Sequence, residues 1–143
     1  TTHNVSSAAS DVYKRQFKFI GLVPDAGSTY ILPRKIGMAR SLELSMLGEK
    51  LSSDKALSWG LINFVYEDIN LKDEALKLAT KIAKGPTVAY KLMRKLYWES
   101  LSSDFESQLS NESKSQKIAG RTEDCFNGIH AFLQKKKPDF QGK

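Results

Sequence analysis

The spacing of hydrophobic positions changes several times along the 143 residues. Residues 1–16, TTHNVSSAASDVYKRQ, are polar and rich in Ser, Ala and Thr, with no hydrophobic period. This predicts a disordered leader or a segment foreign to the domain, and SSAASDVYKRQ resembles translated adapter or vector sequence. FKFIGLV, beginning at Phe17, is a short apolar and aromatic run and predicts a strand. PDAG is turn chemistry. Ser28 or Thr29 then caps a short helix, TYILPRK, which Pro33 limits or kinks. From Met38 to Leu47 the apolar residues Leu42, Met46 and Leu47 fall at helical spacing, with Gly48 as the stop. SSDKALSW is a further short helix ending before Gly60, and LINFVY predicts a second strand. In 71–84, Leu71, Ala75, Leu78 and Ile82 share one helix face. Gly85-Pro86 breaks that helix and starts another, in which Ala89, Leu92, Met93 and Leu96 repeat the pattern. Segment 103–119 is a weaker amphipathic helix with Phe105 and Leu109 apolar. Thr122 predicts an N-cap, Glu123 and Asp124 suit the positive end of a helix dipole, and Phe126, Ile129 and Leu133 form the core face of the last helix. Two strands make no stable sheet by themselves, so their partners are expected upstream or in a partner subunit.

Composition narrows the class. Hydrophobic residues make up 41% and charged residues 27%, a balance that fits one globular domain. The formal net charge of +6 suits nucleic acid, a membrane surface or a phosphorylated ligand. The basic residues are spread out, except for Lys135, Lys136 and Lys137. A single cysteine, Cys125, allows no internal disulfide and fits a reducing compartment. His3 and His130 are isolated, so no metal site is expected. No apolar run approaches the roughly 20 residues of a membrane span.

Asp25 is the residue with candidate chemistry. On spacing alone it is a turn residue. However, its turn joins an apolar run to a helix N-terminus, where ligand-binding groups often point outward, and Ala26 and Gly27 leave room for a ligand. A carboxylate in such an apolar setting holds its proton more readily and can shuttle it. Ser28 has no nearby histidine to activate it, so capping is its expected role. GLVPDAGS lacks the Gly-Lys-Ser/Thr ending of a P-loop. Arg34 is expected in a structural salt bridge; Trp59, Tyr97 and Trp98 are expected in the core or an interface.

The order of these motifs is more specific than any one of them. IGLVPDAGSTYILPRKIGMARSLELSMLGEKLSSDKALSWGLINFVY, followed by AGRTEDCFNGIHAFLQKKKPDFQGK, resembles the second half of the crotonase (enoyl-CoA hydratase/isomerase) family. The resemblance covers residues 17–143. GLVPD, LPR, LGEKLS, ALSWGL and AGRTED lie nearest that family's phenylacetate-pathway isomerases. The resemblance implies an α/β fold, a crotonase-like spiral of ββα turns of which this chain carries the C-terminal part (17–84), then a helical trimerisation region (85–143). It also implies an acyl-CoA thioester substrate, with coenzyme A as part of the substrate rather than a cofactor, and a cytoplasmic homotrimer or hexamer with no membrane or nucleic-acid partner. Two backbone N–H groups would hold the thioester oxygen as an enolate. Those donors belong to the family's first half, which is expected to be missing here, leaving the chain inactive alone. Hydratases of the family carry a second catalytic glutamate four residues before the glycine matching Gly21; Phe17 stands there. Isomerases place one acid directly after the proline, and Asp25 matches that position, with Pro24, Gly27 and Phe17 implied as substrate contacts. Lys135 matches a lysine that contacts the coenzyme A phosphates, whereas an aromatic that helps hold coenzyme A in some members is replaced near Gln116. The alternatives are a 2-enoyl-CoA hydratase or Δ3-Δ2-enoyl-CoA isomerase of fatty-acid degradation, an aryl-CoA dehalogenase with a nucleophilic Asp, and a non-catalytic chain that binds coenzyme A or RNA.

Overall fold

The computed structural model describes residues 17–143, together with the backbone of two short strands ahead of them, β1 (Ser7–Ala8) and β2 (Val12–Tyr13). A 3-10 turn (Phe17–Ile20) follows, then α1 (Ser28–Ile36), α2 (Met38–Leu47), β3 (Leu51–Ser52), α3 (Ser53–Ser58) and β4 (Phe64–Val65). The remainder is helical: α4 (Asp68–Ala83), α5 (Thr87–Glu99), α6 (Phe105–Ala119) and α7 (Glu123–Leu133). The chain divides into two compact units, Thr1–Ala75 and Leu76–Lys143, with the division inside α4. Among the described residues no helix is long and apolar enough to cross a membrane.

In the first unit, Leu32 and Ile36 lie one turn apart on α1 and meet Leu44 of α2, Leu51 of β3, Ala56 of α3 and Ile62 in one buried cluster. Each large side chain buried there contributes about 1.5–3 kcal/mol relative to exposure. Trp59, Leu61 and Val65 pack on its edge. Trp59 also carries Arg40 and Lys55 on its ring, at 5.0 and 4.7 Å from the centroid. Gly37 joins α1 to α2 with φ 82 and ψ 159, a conformation in practice confined to glycine, so the two helices turn sharply and pack together. A Cβ on buried Gly48, at the C-terminus of α2, would sit 2.7 Å from Lys18 Cε, because the 3-10 turn lies against it. Two two-stranded sheets complete the unit. β1 and β4 are parallel, with Ser7 opposite Phe64; β2 and β3 are antiparallel, with Tyr13 opposite Leu51.

In the second unit each helix start is capped by a side chain or by proline. Pro86 opens α5; Asp104 accepts the Ser107 N–H at 2.8 Å and its hydroxyl at 2.7 Å; Thr122 Oγ1 accepts the Cys125 N–H at 3.1 Å. α5 and α6 pack together, and Gln108 Nε2 donates to the Leu96 carbonyl at 3.1 Å.

Several expectations change. FKFIGLV is not a strand: Phe17–Ile20 coils, and Leu22 N–H closes back on the Phe17 carbonyl at 3.0 Å over Gly21 at φ 70. A short apolar run carries no period that separates the two outcomes. Among the described residues LINFVY pairs at Phe64 and Val65 alone. α1 runs through Pro33 to Ile36, and its N-cap is Gly27, with no side-chain cap from Ser28 or Thr29. Phe126, Ile129 and Leu133, expected as a core face, are exposed, as is Phe105. Residues 1–16 lie outside the described residues apart from the backbones of β1 and β2, which place strands inside the segment expected to be a leader.

Candidate active site

Phe17, Pro24, Asp25 and Gly27 share one short segment, and the first unit holds it at both ends. At one end the 3-10 turn rests on α2. At the other, Leu32 and Ile36 anchor α1 in the core. Between them the backbone reverses at Asp25–Ser28, where Ser28 N–H donates to the Asp25 carbonyl at 2.9 Å. Both central residues are left-handed, Ala26 at φ 53 and Gly27 at φ 75, the signature of a type I′ turn. The sign at Gly27 suits glycine; at Ala26 a side chain is held in a region that costs about 1–2 kcal/mol. Gly27 then caps α1, accepting the N–H groups of Tyr30 and Ile31 at 3.0 Å each. Among the described residues nothing beyond its own chain neighbours lies within 4 Å of where a Gly27 Cβ would be, so the turn is open to approach.

Asp25 is exposed on this turn. Its surroundings are nevertheless apolar in composition. Phe19, Ile20, Leu22 and Val23 precede it and are all exposed, Val23 at 78%. Phe17 and Pro24 are half-buried. The result is a carboxylate at the end of an uncovered apolar strip, and covering that strip would strip water from the carboxylate. Among the described residues Arg34 makes no salt bridge. It lies 3.5 Å from the Tyr30 ring centroid and donates to the Tyr30 carbonyl at 2.9 Å.

The Ser28 hydroxyl is a feature that sequence reasoning misassigned. It is buried and has no hydrogen-bond partner among the described residues. The sequence signal was present but ambiguous, since a Ser after Asp-Ala-Gly scores equally as an N-cap.

Lys135 belongs to the second unit. α7 ends in a Schellman motif: Lys136 N–H bonds the Ala131 carbonyl at 2.9 Å and Lys135 N–H the Phe132 carbonyl at 3.0 Å. Lys135 occupies the left-handed position, φ 55, that usually holds glycine. Its side chain and those of Lys136 and Lys137 are exposed. The same unit has a groove of about 510 Å³ between α5 and α6, lined by Leu92, Met93, Leu96, Leu109, Gln116 and others. The Gln108 Oε1 that faces this helix pair is buried without a partner. Among the described residues no three His, Cys, Asp or Glu side chains are placed to hold a metal ion.

Comparison with known proteins bears on this arrangement. The model of the family described as "Enoyl-CoA hydratase/isomerase" matches residues 4–143, starting ahead of Phe17. The 1,2-epoxyphenylacetyl-CoA isomerase of Escherichia coli is 38% identical over 97% of this chain and 53% of its own length. A Rhodobacter capsulatus protein named as a probable enoyl-CoA hydratase is 34% identical over 97% of this chain and 54% of its own. A solved Mycobacterium abscessus structure of the enoyl-CoA hydratase/isomerase type superposes with a TM-score of 0.93 at 29% identity, over 98% of this chain and 54% of that one. The chain thus spans about half the length of the relatives it matches.

Proposed function

The chain belongs to the enoyl-CoA hydratase/isomerase family, and on that premise we propose that it is the C-terminal part of an acyl-CoA isomerase with Asp25 as its proton-shuttling base. In the reaction, the thioester carbonyl is held by backbone N–H donors contributed from outside this chain, which favours an enolate. Asp25 takes a proton from one carbon of the acyl group and returns it to another. The electron pair passes through the enolate, so either a double bond or a ring-epoxide bond shifts without net addition of water. Lys135 meets the phosphates of the coenzyme A portion. No separate cofactor enters. The exposed apolar strips of the second unit fit subunit contacts in a trimer or a pair of trimers.

The observation that carries this reading is the pairing of Asp25, directly after Pro24 on an open turn, with Phe17. A single base suits proton relocation. Water activation in this family uses two carboxylates, and Phe17 occupies the second place. The E. coli isomerase relative supports the ring-epoxide substrate; the R. capsulatus hydratase relative is the observation on the side of hydration. The test is Asp25→Asn in the complete reading frame that encodes this chain. Isomerisation of a 3-enoyl-CoA should fall at least about hundredfold, the lower range for a lost proton-transfer group, while acyl-CoA binding is retained. A variant of normal rate removes Asp25 from the role, and crotonyl-CoA hydration outpacing isomerisation in the unaltered protein assigns a hydratase.

A further inference from the structure

Asp124 is the most deeply buried charged residue among those described, 1% exposed, and it serves no helix-dipole purpose that its exposed neighbour Glu123 does not already serve. Its partners explain the burial. Oδ1 accepts the Gln141 N–H at 2.6 Å, Oδ2 accepts the Gly142 N–H at 2.9 Å, and the Asp124 N–H donates to the Lys143 carbonyl at 3.1 Å. The returning tail is held at three more points. A Cβ on Gly128 of α7 would lie 3.4 Å from the Phe140 ring, so the two pack closely. Gly142 approaches Thr87 so tightly that a Cβ there would be 2.6 Å from its hydroxyl. Lys143 Nζ lies 3.6 Å from Glu123.

The consequence concerns what lies between the two fixed ends. The Schellman motif fixes the chain at Lys135–Lys136, and Asp124 fixes it again at Gln141–Gly142. The segment between is a closed loop, with Lys135 and Lys136 at its first fixed end and Lys137 just inside it, all three with exposed side chains. Three ammonium groups confined to one short loop form a site for clustered phosphates, and confining them beforehand lowers the ordering cost of binding. We infer that Asp124 is a positioning residue: its buried carboxylate fixes the three-lysine loop in the shape that receives the phosphates of the coenzyme A portion of the substrate. This rests on the acyl-CoA reading above for the identity of the ligand, but not for the clamp itself.

The probe is adenosine 3′,5′-bisphosphate, which carries coenzyme A's 3′-phosphate and the first of its two 5′-phosphates without the pantetheine arm. It is titrated calorimetrically into the complete protein and its Asp124→Asn variant. Asparagine keeps the shape but turns one acceptor into a donor facing an N–H. Affinity should fall about tenfold, the scale of one charge-assisted hydrogen bond, and the KM for a coenzyme A thioester should rise by a similar factor with kcat unaltered. Tryptic cleavage after Lys135 and Lys136 should also accelerate. Unchanged bisphosphate affinity, or unchanged cleavage, overturns the inference, as does a kcat that falls together with affinity. If circular dichroism finds Asp124→Asn unfolded, Gln141→Pro makes the same test, removing one N–H donor outside every helix. A protein that binds the bisphosphate and loses it in the variant, yet isomerises no acyl-CoA, defeats the proposed function and leaves the clamp standing.

Discussion

Lys135→Gly should stabilise the fold while weakening the ligand contact assigned to that lysine. Lys135 holds φ 55 at the C-terminus of α7. For a residue with a Cβ, that conformation lies about 1–2 kcal/mol above the right-handed one. Glycine removes the strain but adds about 0.5–1 kcal/mol of unfolded-chain entropy. The net gain is therefore about 0.5–1 kcal/mol. Lys135→Ala is the control, because it removes the ammonium group and keeps the Cβ in the strained region. Urea unfolding followed by far-UV circular dichroism reads the difference; with a slope of about 1–3 kcal/mol/M the glycine variant's midpoint should exceed the alanine variant's by about 0.2–1 M. Both variants should lose bisphosphate affinity to the same degree, since both lose the charge. A glycine variant no more stable than the alanine variant refutes the strain argument. A glycine variant that binds the bisphosphate normally refutes the phosphate contact. Gain of stability with loss of binding is the pattern of a residue retained against local backbone preference for what its side chain does.

Three further outcomes follow from packing and capping. Leu51→Ala empties the centre of the first unit's core, where Leu51 is 2% exposed, and should cost about 2–5 kcal/mol by denaturant unfolding. Gly85→Ala drives a Cβ into the Tyr90 ring at a buried position; the expected loss is about 1–3 kcal/mol, and Tyr90→Ala in the same chain should recover part of it. The Ser107 backbone N–H, and after it the Ser107 hydroxyl, hold the Asp104 carboxyl below its ordinary value. Because the folded-state value is lowered, the cap's contribution is present above the unfolded carboxyl value of about 3.9 and is lost as pH falls through the lower folded value. Asp104→Asn should flatten that part of the unfolding midpoint's pH profile.

What could be read from the sequence divides by the range of the interaction. α2 ends where Gly48 predicts, α5 starts after Gly85-Pro86, and Thr122 caps α7, because each signal lies within about four residues of its effect. The 3-10 turn at Phe17–Ile20 was misread because α2, whose residues begin 18 positions after Ile20, lies against it. Asp124 was read as a dipole residue for the same reason: its partners Gln141 and Gly142 lie 17 and 18 positions on, and no hydrophobic period reports a carboxylate meeting a tail. Asp25 became a candidate through the order of motifs around it, not through spacing, and the structure places it on an open turn, not in a closed pocket. The helical period of Phe126, Ile129 and Leu133 was read correctly as an apolar face but wrongly as a core. A period states that a face is shaped to be covered; it does not state by which chain, and on this one Phe126, Ile129 and Leu133 remain uncovered. The apolar strip beside Asp25 obeys the same logic. If covering that strip is what dries the carboxylate, then the surface that completes the fold and the surface that completes the chemistry are one and the same.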